Sequence, residues 1–130
     1  MLSNWIFIIK DTESEFKKRI EDKRWPIYKF TKYKRQIRKG DNVIFYMAGS
    51  EGKKFLGMGG LASELKDAGS MDSAVMLSNT KTWKNPVPMN DVLEHLKFIT
   101  NKANWGIHFQ GGVIKISDDD YNLILSKNPN

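Results

Sequence analysis

The chain predicts an α+β domain, with about five to six short strands in a curled, mixed β-sheet and about three short helices. Dense β-branched and aromatic runs recur between Gly, Asn and Asp punctuation, and three stretches begin on helix-capping residues. The 130 residues are 40 % hydrophobic and 12 % aromatic, with no linker or repeat, which predicts one domain spanning 1–130 with a true core.

The elements follow in order. Trp5 to Ile9 is an unbroken apolar run, the pattern of a buried strand. Thr12 and Glu15 have capping-box spacing, and Phe16 with Ile20 gives an apolar i, i+4 stripe, so a helix follows and should end near Trp25, since Pro26 disfavours helical geometry before it. Lys39-Gly40-Asp41 is a turn signal, Asn42 to Ala48 a second strand, Gly49 to Gly52 a hairpin loop, and Lys54 to Ala62 a third strand. The glycines of Gly57 to Gly60 lack the helix start and Lys-Ser/Thr of a phosphate loop and predict a bend or bulge. Ser73 to Leu77 and Thr82 to Val87 are two further strand candidates, and Asn90 caps a short helix through about Lys97. Trp105 to Phe109 alternates with period two, which predicts a short strand with Trp105, Ile107 and Phe109 on one core face and His108 pointing to solvent or a phosphate. Val113 to Ile116 is a last strand, and Ser117 with Asp118 to Asp120 starts a helix that buries Tyr121, Ile124 and Leu125.

Charge is the least ordinary feature. The seventeen residues from Lys23 to Lys39 hold eight Lys or Arg, no acidic residue, and four aromatics: Trp25, Tyr28, Phe30 and Tyr33. The rest of the chain has 13 basic and 15 acidic side chains, so the net charge of +6 is local to this segment. Cations neutralise phosphates and aromatic faces stack on bases, so the segment, with Lys32, Lys34 and Arg35 at its centre, fits nucleic acid as well as it fits a solvated Lys-rich loop. With no cysteine there is no disulfide, thiolate metal site or cysteine nucleophile, which is compatible with a reducing compartment. The apolar run before Lys10 is too short for a signal peptide or membrane span, so the expectation is a soluble, cytoplasmic protein acting as a monomer.

Strand Trp5 to Lys10, a helix, Arg24-Trp25, Lys39 to Tyr46, and the closing block Leu96 to Ile99, Trp105 to Phe109 and Asp120-Tyr121 together resemble the EVE domain, over roughly residues 4 to 125. That family belongs to the PUA-like superfamily and is related to the YTH readers of methylated RNA. The resemblance implies a PUA-like β-barrel or pseudo-barrel, and a nucleic-acid partner, RNA or DNA, with one modified base held in an aromatic-walled pocket. It implies no cofactor.

Such a pocket gains about 1 to 3 kcal/mol from a methyl group if the base is extruded and enclosed. Trp25 matches the pocket tryptophan of the related readers; its alternative role is a core anchor capping the helix. Lys10, Asp11 and Thr12 match positions of polar contacts to the base edge, and Asp11 equally suits helix capping. Tyr46 and Met47 lie on opposite faces of the second strand, so either Tyr46 or its neighbours Phe45 and Met47 face the barrel interior. This chain departs from the relatives at Pro26, where glycine is common and whose ring supplies no N–H, and over Glu64 to Lys81, which holds no aromatic, so that Met71, Met76 or Trp83 would have to form the second wall.

No enzyme is expected. His95 and His108 lack an orienting partner and metal-ligand spacing, no serine sits in a nucleophile elbow, and helix capping accounts for Asp118 to Asp120. A non-catalytic adaptor using the basic surface is the alternative, and an RNA/DNA-modifying or hydrolytic enzyme a more distant one.

Overall fold

A computed structural model describes residues 2–10, 13–27, 31, 33–49, 52–67, 73–109 and 111–128. Asp11, Thr12, Tyr28, Lys32 and Met71, singled out above, lie outside the described residues. The strands are β1 (Asn4–Lys10), β2 (Arg24–Ile27), β3 (Asn42–Ala48), β4 (Lys54–Leu61), β5 (Lys66–Asp67), β6 (Ser73–Pro88) and β7 (Val113–Ile116), with helices α1 (Glu13–Asp22) and α2 (Asp118–Ser126). They form one mixed sheet in the order β2-β6-β4-β3-β1-β7, with β5 beside β6. Among the described residues only β1 and β3 run parallel; the other pairs are antiparallel.

β1 from Trp5 to Ile9 and β3 from Val43 to Ala48 are runs of apolar and aromatic residues, as strands packed on both faces require. Trp5, Phe7, Ile9, Val43, Phe45 and Met47 point into one core, with Phe16 of α1 packed on it. Ile6, Ile44 and Tyr46 point into a second, covered by the 89–109 segment and α2. The sheet is curled: Trp25 of β2, at one end of the strand order, lies 5.8 Å from Phe7 and 5.1 Å from Phe45, ring centre to ring centre.

Four sequence expectations are corrected. α1 stops at Asp22 because Lys23 enters the left-handed region at φ 53, and Trp25 is in β2. The two weak strand candidates are one long strand, β6, which runs through Asn79 at φ 51. The expected helix after Asn90 is a pair of 3-10 turns, Met89–Asp91 and Leu93–His95. Trp105–Phe109 is also a 3-10 helix: Phe109 is buried and Trp105 half-buried against it, while Ile107 is exposed. In β4 the register shifts between Phe55 and Gly57 and again between Met58 and Gly60, the bulge expected there. A Cβ on Gly57 would press into the Lys81 carbonyl oxygen.

Buried carboxylates fix the corners. Asp41, 1 % exposed, accepts from the Ser3 amide at 3.0 Å, Trp5 Nε1 at 2.9 Å and the Arg38 amide at 2.9 Å. Asp120 accepts from the amides of Lys97 and Phe98, and its own amide donates to Ser117 Oγ, the N-cap of α2. Two polar atoms of the second core, the Tyr46 hydroxyl and Trp83 Nε1, have no partner among the described residues. Burial pushes the Tyr46 and Tyr121 hydroxyls above their ordinary value.

Asp41→Asn should leave at least one of three buried donors unsatisfied and lower stability by about 2–4 kcal/mol in urea denaturation, because each orphaned donor costs roughly 1–3 kcal/mol. Tyr46→Phe removes an unpartnered hydroxyl, so stability near neutral pH should stay level or rise by up to about 1 kcal/mol. A hydroxyl raised in the folded state contributes stability that is fully present below the unfolded tyrosine value of about 10 and lost as pH rises beyond it. The alkaline fall in stability should therefore be shallower in Tyr46→Phe, as denaturation midpoints on either side of about pH 10 will show.

Candidate functional site

The C-terminal part of the basic segment, residues 33–39, is an anchored strap. Ile37 is buried in the first core and the Arg38 amide is held by Asp41. Between β2 and that anchor stands a 3-10 turn, Lys34–Gln36, in which the Gln36 amide donates to the Tyr33 carbonyl at 2.9 Å. Arg35, Arg38 and Lys39 are exposed, and Lys34 is half-buried. Arg38 Nη1 donates to the carbonyls of Arg35 and Ile37, and its Nε is 3.9 Å from Glu64. Backbone oxygens thus orient the guanidinium, and Glu64 is its one carboxylate neighbour among the described residues.

Tyr33 enters this turn at φ 64, ψ 6 and is 53 % exposed. A bulky residue in the left-handed region is strained by about 1–2 kcal/mol, and it persists where its surroundings fix it. Tyr33 stands on one side of a recess of about 550 Å³ whose other side is formed by Ile107, His108, Gly111, Ile114 and Lys115, with Gln36 beside it. His108 is half-buried, with Nε2 accepting from the Asn101 amide at 3.4 Å and its ring edge-on to Phe98. The strap and the corner before β7 therefore bring together Tyr33 and His108, which lie far apart in sequence. Ile107 and Lys115 are partners that sequence reasoning missed, because a false strand alternation had placed Ile107 in the core.

The other sequence-selected residues lie elsewhere. Trp25 is 1 % exposed and packed as a core anchor, with Phe45 stacked at 5.1 Å, Phe7 tilted at 5.8 Å and Phe16 edge-to-face at 6.3 Å. The Arg19 guanidinium carbon sits 4.7 Å from the Trp25 ring centre, held by Glu15 at 2.9 Å. Arg19, with 21 % side-chain exposure, is the solvent-facing group of the four, so a base reaches this ring only if Arg19 moves. Pro26 is exposed opposite Ala74, and Lys10 is exposed at the end of β1 opposite Ala48. Met47 is buried in the first core, and Tyr46 and Trp83 in the second, so these three present no open face. Met76, named as a substitute wall, is half-buried in β6 opposite Arg24. A smaller recess of about 210 Å³ lies above Tyr46, between Lys53, Trp105 and Phe109.

Among the described residues no three His, Asp or Glu side chains gather where a metal could be held. Asp118 accepts from Asn4 Nδ2, Asp119 pairs with Lys97, and Asp120 caps the 97–98 amides. No described helix is long and apolar enough to cross a membrane.

The family model of the EVE domain matches residues 3–127. A UPF0310 protein of Mycobacterium avium is 28 % identical over 106 residues, covering 71 % of this chain and 73 % of that one. The fold is shared with human THYN1, solved in complex with DNA containing 5-methylcytosine, at a TM-score of 0.68 and 12 % identity, covering 98 % of both chains. It is shared as well with the YTH domain of Zygosaccharomyces rouxii MRB1, solved in complex with N6-methyladenosine RNA, at a TM-score of 0.62 and 14 % identity, covering 95 % of this chain and 85 % of that one. The curled mixed sheet with two helices is thus a PUA-like fold.

Proposed function

The chain belongs to the EVE domain family, and on that premise we propose that it is a non-catalytic nucleic-acid-binding module that reads a modified base. The observation that carries this reading is the concentration of the whole positive excess in one seventeen-residue stretch of sequence, Lys23 to Lys39, on a fold that two proteins solved with methylated nucleic acids share. The cations of the strap neutralise phosphates, and the net charge supports fast, salt-sensitive encounter. The modified base goes to the Trp25 end of the barrel, between Lys10 and Pro26, once Arg19 swings off the ring. A guanidinium on an indole face occupies the plane that a base would take, and its exchange for a base trades a cation–π contact for a stack. Asp11 and Thr12 are the polar groups assigned to the base edge.

Binding of a single-stranded oligonucleotide should weaken more than about tenfold between 50 and 200 mM salt if three or more phosphates are neutralised. Alanine at Lys32, Lys34 and Arg35 should flatten that slope; salt-indifferent binding would remove the strap from this function. Oligonucleotides carrying 5-methylcytosine or N6-methyladenosine, titrated beside their unmodified forms, should include one bound tighter by about 1–3 kcal/mol. Equal affinity for modified and plain strands would leave only electrostatic binding. Trp25→Ala should lose about 3–5 kcal/mol of folding stability because it empties the first core. Trp25→Phe keeps part of that packing, and should bind plain strands normally while retaining only part of the preference for the modified one, since a smaller face still stacks.

A further inference from the structure

Neither Trp25 nor Arg19, Lys10 or Pro26 is among the described residues that line the recess of Tyr33 and Ile107, and the reading of one modified base does not account for it. Tyr33 and Ile107, at 53 % and 44 % exposure, are two of the three exposed large hydrophobics among the described residues, and both line it. Its other described lining includes Lys115, His108 and Gln36, and no acidic side chain. A volume of about 550 Å³ lies within the range of ligand sites, roughly 300–1,000 Å³. Arg35 and the half-buried Lys34 follow Tyr33 directly, and the turn that carries all three is anchored through Ile37 and Asp41.

We propose that this recess is a second base subsite, holding one nucleobase of the single strand stacked on Tyr33 against Ile107. Gln36 supplies a donor and an acceptor to the base edge, and Lys115 and His108 meet the flanking phosphates. Tyr33 is 53 % exposed on a left-handed backbone, a conformation in which an unstrained turn residue would be small. The apolar pair suits a base better than an acidic protein segment, which would use the cations and leave Tyr33 and Ile107 idle. The proposal rests on the nucleic-acid reading above and adds a specificity position to it.

The test is a short single-stranded oligonucleotide carrying the preferred modified base, with one abasic site walked along it, titrated by fluorescence anisotropy against wild type, Tyr33→Gly, Tyr33→Phe and Ile107→Ala. Glycine suits the backbone at residue 33, so Tyr33→Gly stays folded, which thermal melts will verify. An abasic site at one position away from the modified base should weaken wild-type binding about 5- to 100-fold, the worth of one base–aromatic stack. Tyr33→Gly should lose the same factor on the intact strand and nothing further on the abasic one. Tyr33→Phe should bind as wild type does. If wild type binds and prefers the modified strand, yet no second position responds and Tyr33→Gly and Ile107→Ala bind normally, this subsite is refuted while the main reading stands. Failure of wild type to bind any oligonucleotide refutes both.

Discussion

Two parallel strands placed side by side have no hairpin between them to set their register, and here the Asp41 carboxylate does that work. Its oxygens take the Ser3 amide and the Trp5 indole from the β1 side and the Arg38 amide from the strap, directly before β3. A carboxylate at 1 % exposure is tolerable only when donors replace its hydration, and this one has three. The same residue's backbone closes the start of β3 onto β4, with the Leu61 amide donating to the Asp41 carbonyl at 2.9 Å. The start of β1, the start of β3, the end of β4 and the end of the basic strap all meet at that corner.

The strap shows how charge and fold are reconciled. Eight like charges in seventeen residues repel one another, and no acidic residue lies among them. Part of the relief comes from carbonyl oxygens: Arg38 donates back to the turn it follows. Such bonds orient a cation without neutralising it, so the strap keeps its field while its backbone is tied down by Ile37 and Asp41. The strain at Tyr33 is likewise borne by the anchors on its C-terminal side.

Much of the fold was legible because the buried strands carry it openly. Trp5 to Ile9 and Val43 to Met47 have no polar residue to blur them, and Ser117 with the acidic first turn marked α2 unambiguously. The errors share a physical origin. Trp105 to Phe109 mimics strand alternation only because Gly106 and His108 happen to fall between three apolar residues, and five residues cannot separate a strand period from a tight helical turn. The residues between the two strand candidates, 78–81, are all polar, yet β6 runs through them with Asn79 and Lys81 exposed and Ser78 and Thr80 half-buried. Asp41 read as a turn residue, since nothing in Lys39-Gly40-Asp41 announces that Trp5 lies opposite. For the same reason the recess was half visible: Tyr33 and His108 could be chosen by chemistry, but their meeting, and the parts of Ile107 and Lys115, required the strap and the corner before β7 to be seen together.

The register of β1 also bears on how the molecule is made. Its neighbours are β3 on one side and β7 on the other, with Asn4 opposite both Asn42 and Ile116, and the Asn4 side chain bonds Asp118, 114 residues further on. A strand translated before β7 therefore waits, apolar on both faces, for a partner made more than a hundred residues later. Until then it is an open edge. The charged surface of α1, which follows immediately, accompanies that hydrophobic run through the interval, and interruption of synthesis before β7 would leave a template for aggregation rather than a smaller folded domain.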